Sequence, residues 1–154
     1  MNDLLAALSV WALPVLLAIT LHEAALGFAA EAMGDDTARR LGRVSLNPLR
    51  HVDPFGTIIL PGLLLAAGGI LFGWAKPVPV EFSRLRPFRF GMIVVAAAGP
   101  AVNLLLAAVA VLGFWLVPLV PEAGQGWLFD NLRNALFLIV LLAVFNMLPI
   151  PPLD

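Results

Sequence analysis

The chain has 154 residues, of which 61% are apolar and 12% charged, and its mean hydropathy is +0.97. A surface this apolar cannot be wetted like that of a soluble domain, so the composition predicts an all-α integral membrane protein in contact with the lipid bilayer. The net charge of −1 without a basic tail gives no reason to expect a nucleic-acid partner, and the absence of cysteine excludes disulfides and thiolate metal sites.

The first apolar segment, at about residues 4–30, is long enough to span a membrane. Its later half carries His22 and Glu23, and position 22 lies roughly 27 Å along such a helix, near the far side of a ~30 Å hydrocarbon core. Ionisable side chains are costly at that depth, so both are candidate functional residues. The alternative is a helix end where the two side chains only face water.

The pentapeptide at positions 22–26 is His-Glu-Ala-Ala-Leu, which departs at one position from the His-Glu-x-x-His signature of zinc proteases. In that signature two imidazoles one helical turn apart bind Zn²⁺ and the Glu acts as a base. Leu26 occupies the place of the second histidine and has no lone pair to offer a metal. The pentapeptide alone is therefore compatible with a protease, a disabled protease or a coincidence.

Two further spans are predicted at about residues 91–118 and 134–150, separated by a polar turn over 119–133. Between the first and second spans lies the apolar stretch 57–72, which is short for a crossing and is interrupted by Pro and Gly. A loop with four basic residues flanks each end of this stretch: Arg39, Arg40, Arg43 and Arg50 before it, and Lys76, Arg84, Arg86 and Arg89 after it.

If the short stretch crossed the membrane, the two basic loops would lie on opposite sides, against the bias of Lys and Arg towards the cytoplasm. We therefore expect a re-entrant segment over about residues 45–80, with both basic loops cytoplasmic and the N-terminus outside. This topology places His22, Glu23 and Asp154 in the same inner leaflet, where they could share a metal. A full crossing would leave Asp154 roughly a membrane thickness from His22.

Five co-linear motifs between Leu21 and Asp154 resemble those of the site-2 proteases, the intramembrane zinc metalloproteases of peptidase family M50. The resemblance is to the compact prokaryotic branch, which has no PDZ domain. It implies one membrane-embedded domain over 1–154, with a three-helix core and a re-entrant β-hairpin or loop between the first two core helices. The core is expected to continue past Asp154, so the sequence is predicted to stop within a motif. The motifs cover residues 22–25, 38–57, 72–80, 98–103 and 146–154.

The resemblance also implies residue roles. His22 matches the first zinc-ligating histidine, Glu23 the general base, and Asp154 the aspartate ligand of a Leu-Asp-Gly motif. Asn103 matches an asparagine that holds substrate near the metal; its alternative role is a hydrogen bond between helices. The implied activity is hydrolysis of peptide bonds in transmembrane segments of membrane-protein substrates, with Zn²⁺ as cofactor, in the cell membrane.

Leu26 leaves His22 and Asp154 as two ligands where catalytic zinc takes three from the protein. Three explanations stay open: a natural loss that leaves a pseudoprotease binding membrane segments, an engineered inactivating change, or a ligand set rebuilt from His51 or a partner chain. His51 is otherwise expected to be structural. A small transporter-like protein also fits the hydropathy but does not explain five ordered motifs. The sequence leaves the oligomeric state open.

Overall fold

The structure is a computed structural model that describes residues 2–69 and 72–148. In chain order the described α-helices are α1 (Asn2–Ala32), α2 (Thr37–Arg40), α3 (Leu60–Ala66), α4 (Phe88–Phe114) and α5 (Glu122–Met147). The long helices α1, α4 and α5 are apolar and long enough to cross a membrane, and each packs against the other two. This agrees with the predicted all-α, three-helix membrane architecture.

Small residues hold the three long helices together. Ala18, Ala24 and Ala30 of α1 are at most 1% exposed, and Gly99 of α4 and Ala143 of α5 are also buried. Small side chains let helix backbones approach closely, as they do where helices pack within a membrane. The large apolar side chains face outwards instead, among them Leu13, Leu17, Leu104, Leu105 and Phe137.

Helix α5 begins twelve residues earlier than the predicted span, so the polar turn expected over 119–133 is wrong for most of its length. The polar residues that predicted a turn lie on the helix. Asn134 is buried and its side-chain N–H donates to the carbonyl of Val10 in α1 at 3.0 Å, while Arg133 pairs with Asp130 one turn earlier at 3.3 Å. Polar side chains with partners of this kind do not interrupt a helix.

The structure does not support the predicted re-entrant β-hairpin, because no β-strand occurs in residues 2–69 or 72–148. Residues 54–59 instead form a wide π-helical turn that continues into α3. The side chain of Asp53 accepts the N–H of Gly56 at 2.7 Å, and Pro54 occupies the first helical position. Pro61 has no N–H to donate to the carbonyl of Thr57, which accounts for the widened turn before it.

The connection between α1 and α4 nevertheless returns to the end of the bundle where it begins. The N–H of Lys76 donates to the carbonyl of His51 at 2.9 Å, and the N–H of Arg86 donates to that of Met33 at 2.7 Å. The guanidinium of Arg43, in the first basic loop, donates to the carbonyl of Lys76, in the second, at 2.9 Å. The two basic loops therefore lie together at one end of the molecule.

Asp35 is a buried carboxylate at this end, and it joins the two loops. It accepts the backbone N–H of Thr37 at 3.0 Å and that of Glu81 at 2.6 Å, and Arg84 lies 4.0 Å away. Burial raises the pKa of Asp35, but the hydrogen bonds from Thr37 and Glu81 and the charge of Arg84 outweigh it, so the net pKa lies below its ordinary value. Sequence analysis assigned Asp35 no role.

Candidate active site

His22 and Glu23 lie in the last third of α1, where they line one cavity of about 600 Å³. The cavity lies between α1, α4 and the extended segment 72–81, and Asn146 of α5 also reaches it. Apolar side chains make up most of the remaining wall: Leu26, Val78, Val80, Phe82, Met92 and Val95. The two polar residues that the sequence singled out therefore face a shared, mostly apolar space.

Glu23 is held by a backbone group of the extended segment. Its Oε2 accepts the N–H of Val78 at 2.8 Å, and Val78 is only 7% exposed. Val78 stands between Pro77 and Pro79, which have no N–H, so it supplies the only main-chain donor of the three. A hydrogen bond to a carboxylate is stronger than one between neutral groups, and it orients the acid.

His22 is placed by two residues of α4. The side-chain amide of Asn103, which is fully buried, lies 3.2 Å from Nδ1 of His22. The imidazole also lies directly against the backbone of Gly99, where any Cβ would overlap the ring. Gly99 is thus a close-approach glycine, and Asn103 makes the interhelical contact that was its alternative role. Asn103 as a substrate-binding residue stays a prediction.

The position of the missing histidine is filled by an apolar contact. Leu26 packs against the buried cluster of Ala30, Leu85 and Val95, one turn after His22. Catalytic zinc needs three protein ligands. Within residues 2–69 and 72–148 no group of three His, Asp or Glu residues is arranged to hold a metal ion, and Asp154 lies outside the described residues. The described residues therefore do not form a complete zinc site.

His51 has a structural partner. It is 1% exposed, its Nε2 donates to the carbonyl of Ser45 at 2.7 Å, and its own carbonyl accepts the N–H of Lys76. These contacts join residues 45–51 to the extended segment. They match the structural role expected for His51, and His51 is not part of a metal-holding group in the described chain.

Val78 and Gly99 are site residues that sequence analysis did not identify as such. The signal for Val78 was available, because a residue between two prolines is the only amide donor of its segment. The signal for Gly99 was weaker. A glycine in a membrane span is compatible with close helix packing, but the sequence does not show which side chain packs against it.

The chain is similar to bacterial proteins that carry a protease name. It is 41% identical over 147 residues to "Putative zinc metalloprotease YwhC" of Bacillus subtilis (strain 168), covering 91% of this chain and 63% of that protein. It is 36% identical over 144 residues to "Putative zinc metalloprotease Rip2" of Mycolicibacterium smegmatis and 35% identical over 148 residues to Rip2 of Mycobacterium tuberculosis H37Rv. Each Rip2 match covers 90% of this chain and 51% of the relative.

The chain thus spans between half and two thirds of the length of the curated relatives it matches. No protein-family model and no solved structure matches it. Over nine tenths of this chain the similarity is to proteins named as putative zinc metalloproteases, and the chain has three helices apolar and long enough to cross a membrane.

Proposed function

We propose that this chain is the core of an intramembrane peptidase of the site-2 type, which hydrolyses peptide bonds in transmembrane segments of membrane-protein substrates. The observation that carries the proposal is the cavity that His22 and Glu23 share, on a helix apolar enough to span a membrane. Leu26, in the place of the second histidine, makes the activity of this chain weak or absent.

The hydrogen bonding of Glu23 supports its proposed role as general base. Val78 occupies Oε2, whereas Oε1 receives no hydrogen bond from the described residues. Oε1 is thus the atom that could take a proton from an attacking water and return it to the leaving amine. The wall of the cavity is mostly apolar, and an apolar surrounding strengthens electrostatic interactions.

Zinc is the cofactor expected from the resemblance, and the names of the relatives include it. In this chain His22 and Asp154 are the proposed ligands, and the described residues supply no third. Two ligands do not complete a catalytic zinc site in this chain. A histidine at position 26 would supply the imidazole that the two-histidine signature requires.

A pseudoprotease is the second candidate, and the packing of Leu26 favours it. Leu26 contacts the cluster of Ala30, Leu85 and Val95, so this part of the wall is formed by apolar contacts. A chain of this kind would keep the cavity and bind a membrane segment without cutting it.

The experiment that tests the proposed function compares three variants with the unaltered chain on a model transmembrane substrate, and any Glu23-dependent cleavage by the unaltered chain separates a weak protease from a pseudoprotease. Leu26→His should cleave it, because the substitution restores the imidazole. Leu26→His with Glu23→Gln should not cleave it, because the base is lost. Leu26→Met, which keeps an apolar side chain of similar volume, should behave like the unaltered chain. If Leu26→His cleaves no better than Leu26→Met, position 26 is not a ligand position.

We also propose a multi-pass cell-membrane protein with both basic loops cytoplasmic, the N-terminus outside and a segment at about residues 45–80 that is re-entrant rather than crossing. The contact between Arg43 and Lys76 supports it, since loops that touch lie at one end of the bundle. The chain has no cysteine, so single cysteines at Arg40 and Arg86 can be labelled without background. Both should react from the cytoplasmic side; labelling from opposite sides would contradict the topology.

A further inference from the structure

Two contacts connect the first basic loop to Glu23 through the extended segment. One guanidinium nitrogen of Arg43 donates to the carbonyl of Lys76 at 2.9 Å and to that of Pro77 at 3.2 Å. The next residue, Val78, donates its N–H to Oε2 of Glu23 at 2.8 Å. Arg43 therefore binds the carbonyls of the two residues before Val78, and the N–H of Val78 binds the proposed base.

The prolines on each side of Val78 restrict the backbone conformation of this segment. Proline locks its own φ and restricts the residue before it to extended conformations, so residues 76–79 have little freedom to turn the amide elsewhere. Neither Pro77 nor Pro79 has an N–H, and the N–H of Lys76 donates to the carbonyl of His51. Val78 therefore supplies the one backbone N–H of residues 77–79.

We propose that the N–H of Val78 orients the Glu23 carboxylate in the catalytic site, and that Arg43 fixes the position of this N–H by binding the carbonyl of Pro77. This inference rests on the proposed function for its catalytic consequence. The bond itself is a property of the folded chain and can be tested without activity. Val78 and Arg43 are positioning residues, because they act through Glu23 and not on a substrate.

The first test is a double-mutant cycle on unfolding. Val78→Pro deletes the N–H, Val78→Ala removes the side chain and keeps the N–H, and Glu23→Ala removes the acceptor. A hydrogen bond to a charged group predicts that Val78→Pro and Glu23→Ala couple by about tenfold or more in the unfolding equilibrium constant. Val78→Ala with Glu23→Ala should be additive. Additivity in both cycles would overturn the proposal.

A second comparison applies even if Val78→Pro does not fold. Glu23→Ala leaves the N–H of Val78 buried without a partner, whereas Glu23→Gln keeps an acceptor oxygen. The unfolding equilibrium constant of Glu23→Ala should therefore exceed that of Glu23→Gln by about tenfold. Equal values would show that the amide does not bind the side chain, and would overturn the inference.

The catalytic consequence is measured in the Leu26→His chain. There Arg43→Ala should lower kcat while KM stays unchanged, and Arg43→Lys, which keeps one donor, should recover part of the loss. A rise in KM with constant kcat would show that Arg43 serves binding instead, and would overturn its positioning role. If Leu26→His shows no cleavage, the proposed function fails, while the two unfolding tests still decide whether Val78 orients Glu23.

Discussion

Gly99→Ala is the substitution for which the structure predicts the sharpest packing effect. A Cβ at this position would overlap the imidazole of His22, which is a rigid ring whose Nδ1 also contacts the amide of Asn103. Gly126, in α5, is the matched control, because a Cβ there would meet no atom within 4 Å. Both glycines lie inside long helices, but Gly99 precedes Pro100, whose ring disfavours a helical conformation for a preceding residue that has a Cβ, so the gain in helix propensity is smaller at Gly99.

Gly126→Ala should stabilise the protein by about 0.5–1 kcal/mol, the usual difference between alanine and glycine within a helix. Gly99→Ala receives at most the same gain, because Pro100 follows it, and it overpacks the contact with His22, which typically costs about 1–3 kcal/mol. Its free energy of unfolding should therefore lie about 1–3 kcal/mol below that of Gly126→Ala. The assay is reversible unfolding of both variants in the same detergent. Equal stabilisation by both substitutions would refute the predicted contact between Gly99 and His22.

Three further predictions follow from the buried polar contacts. Acid should destabilise the protein as the pH falls below about 4, because the folded-state pKa of Asp35 lies below its unfolded value; Asp35→Asn should remove that part of the pH dependence of unfolding. Asn134→Ala should lower the free energy of unfolding by about 1–3 kcal/mol, since it leaves the carbonyl of Val10 without its side-chain donor. Asn103→Ala should cost a similar amount, while Asn131→Ala, whose side chain bonds within α5, should cost less.

Hydropathy was sufficient to predict the three long helices, because a span of this length and apolarity has few alternatives. It failed at the start of α5, where Glu122, Gly124 and Gly126 are typical of a turn but lie in a helix preceded by Pro121. It failed again at residues 54–66, an apolar stretch of a length that strands and helices share. The side chain of Asp53 caps the helical turn by accepting the N–H of Gly56. A hydropathy profile carries no information about such a hydrogen bond.

The site was predicted in part. The pentapeptide located His22 and Glu23, and the structure places both on one cavity. The contacts that orient them come from residues far away in the sequence: Val78 is 55 positions from Glu23, and Asn103 is 81 from His22. Such pairs depend on how helices and loops pack, which periodicity along one chain cannot show. The role of Asp154 lies outside the described residues and stays a prediction.

If position 26 is a ligand position of a metalloprotease-type site that leucine has disabled, the zinc content of the purified protein depends on the residue there. Zinc is therefore measured in the unaltered chain and in Leu26→His, with Leu26→Met as control. This interpretation makes a quantitative prediction. It predicts zinc near one per chain for Leu26→His and well below that for both other proteins. Equal zinc content in all three proteins would contradict it.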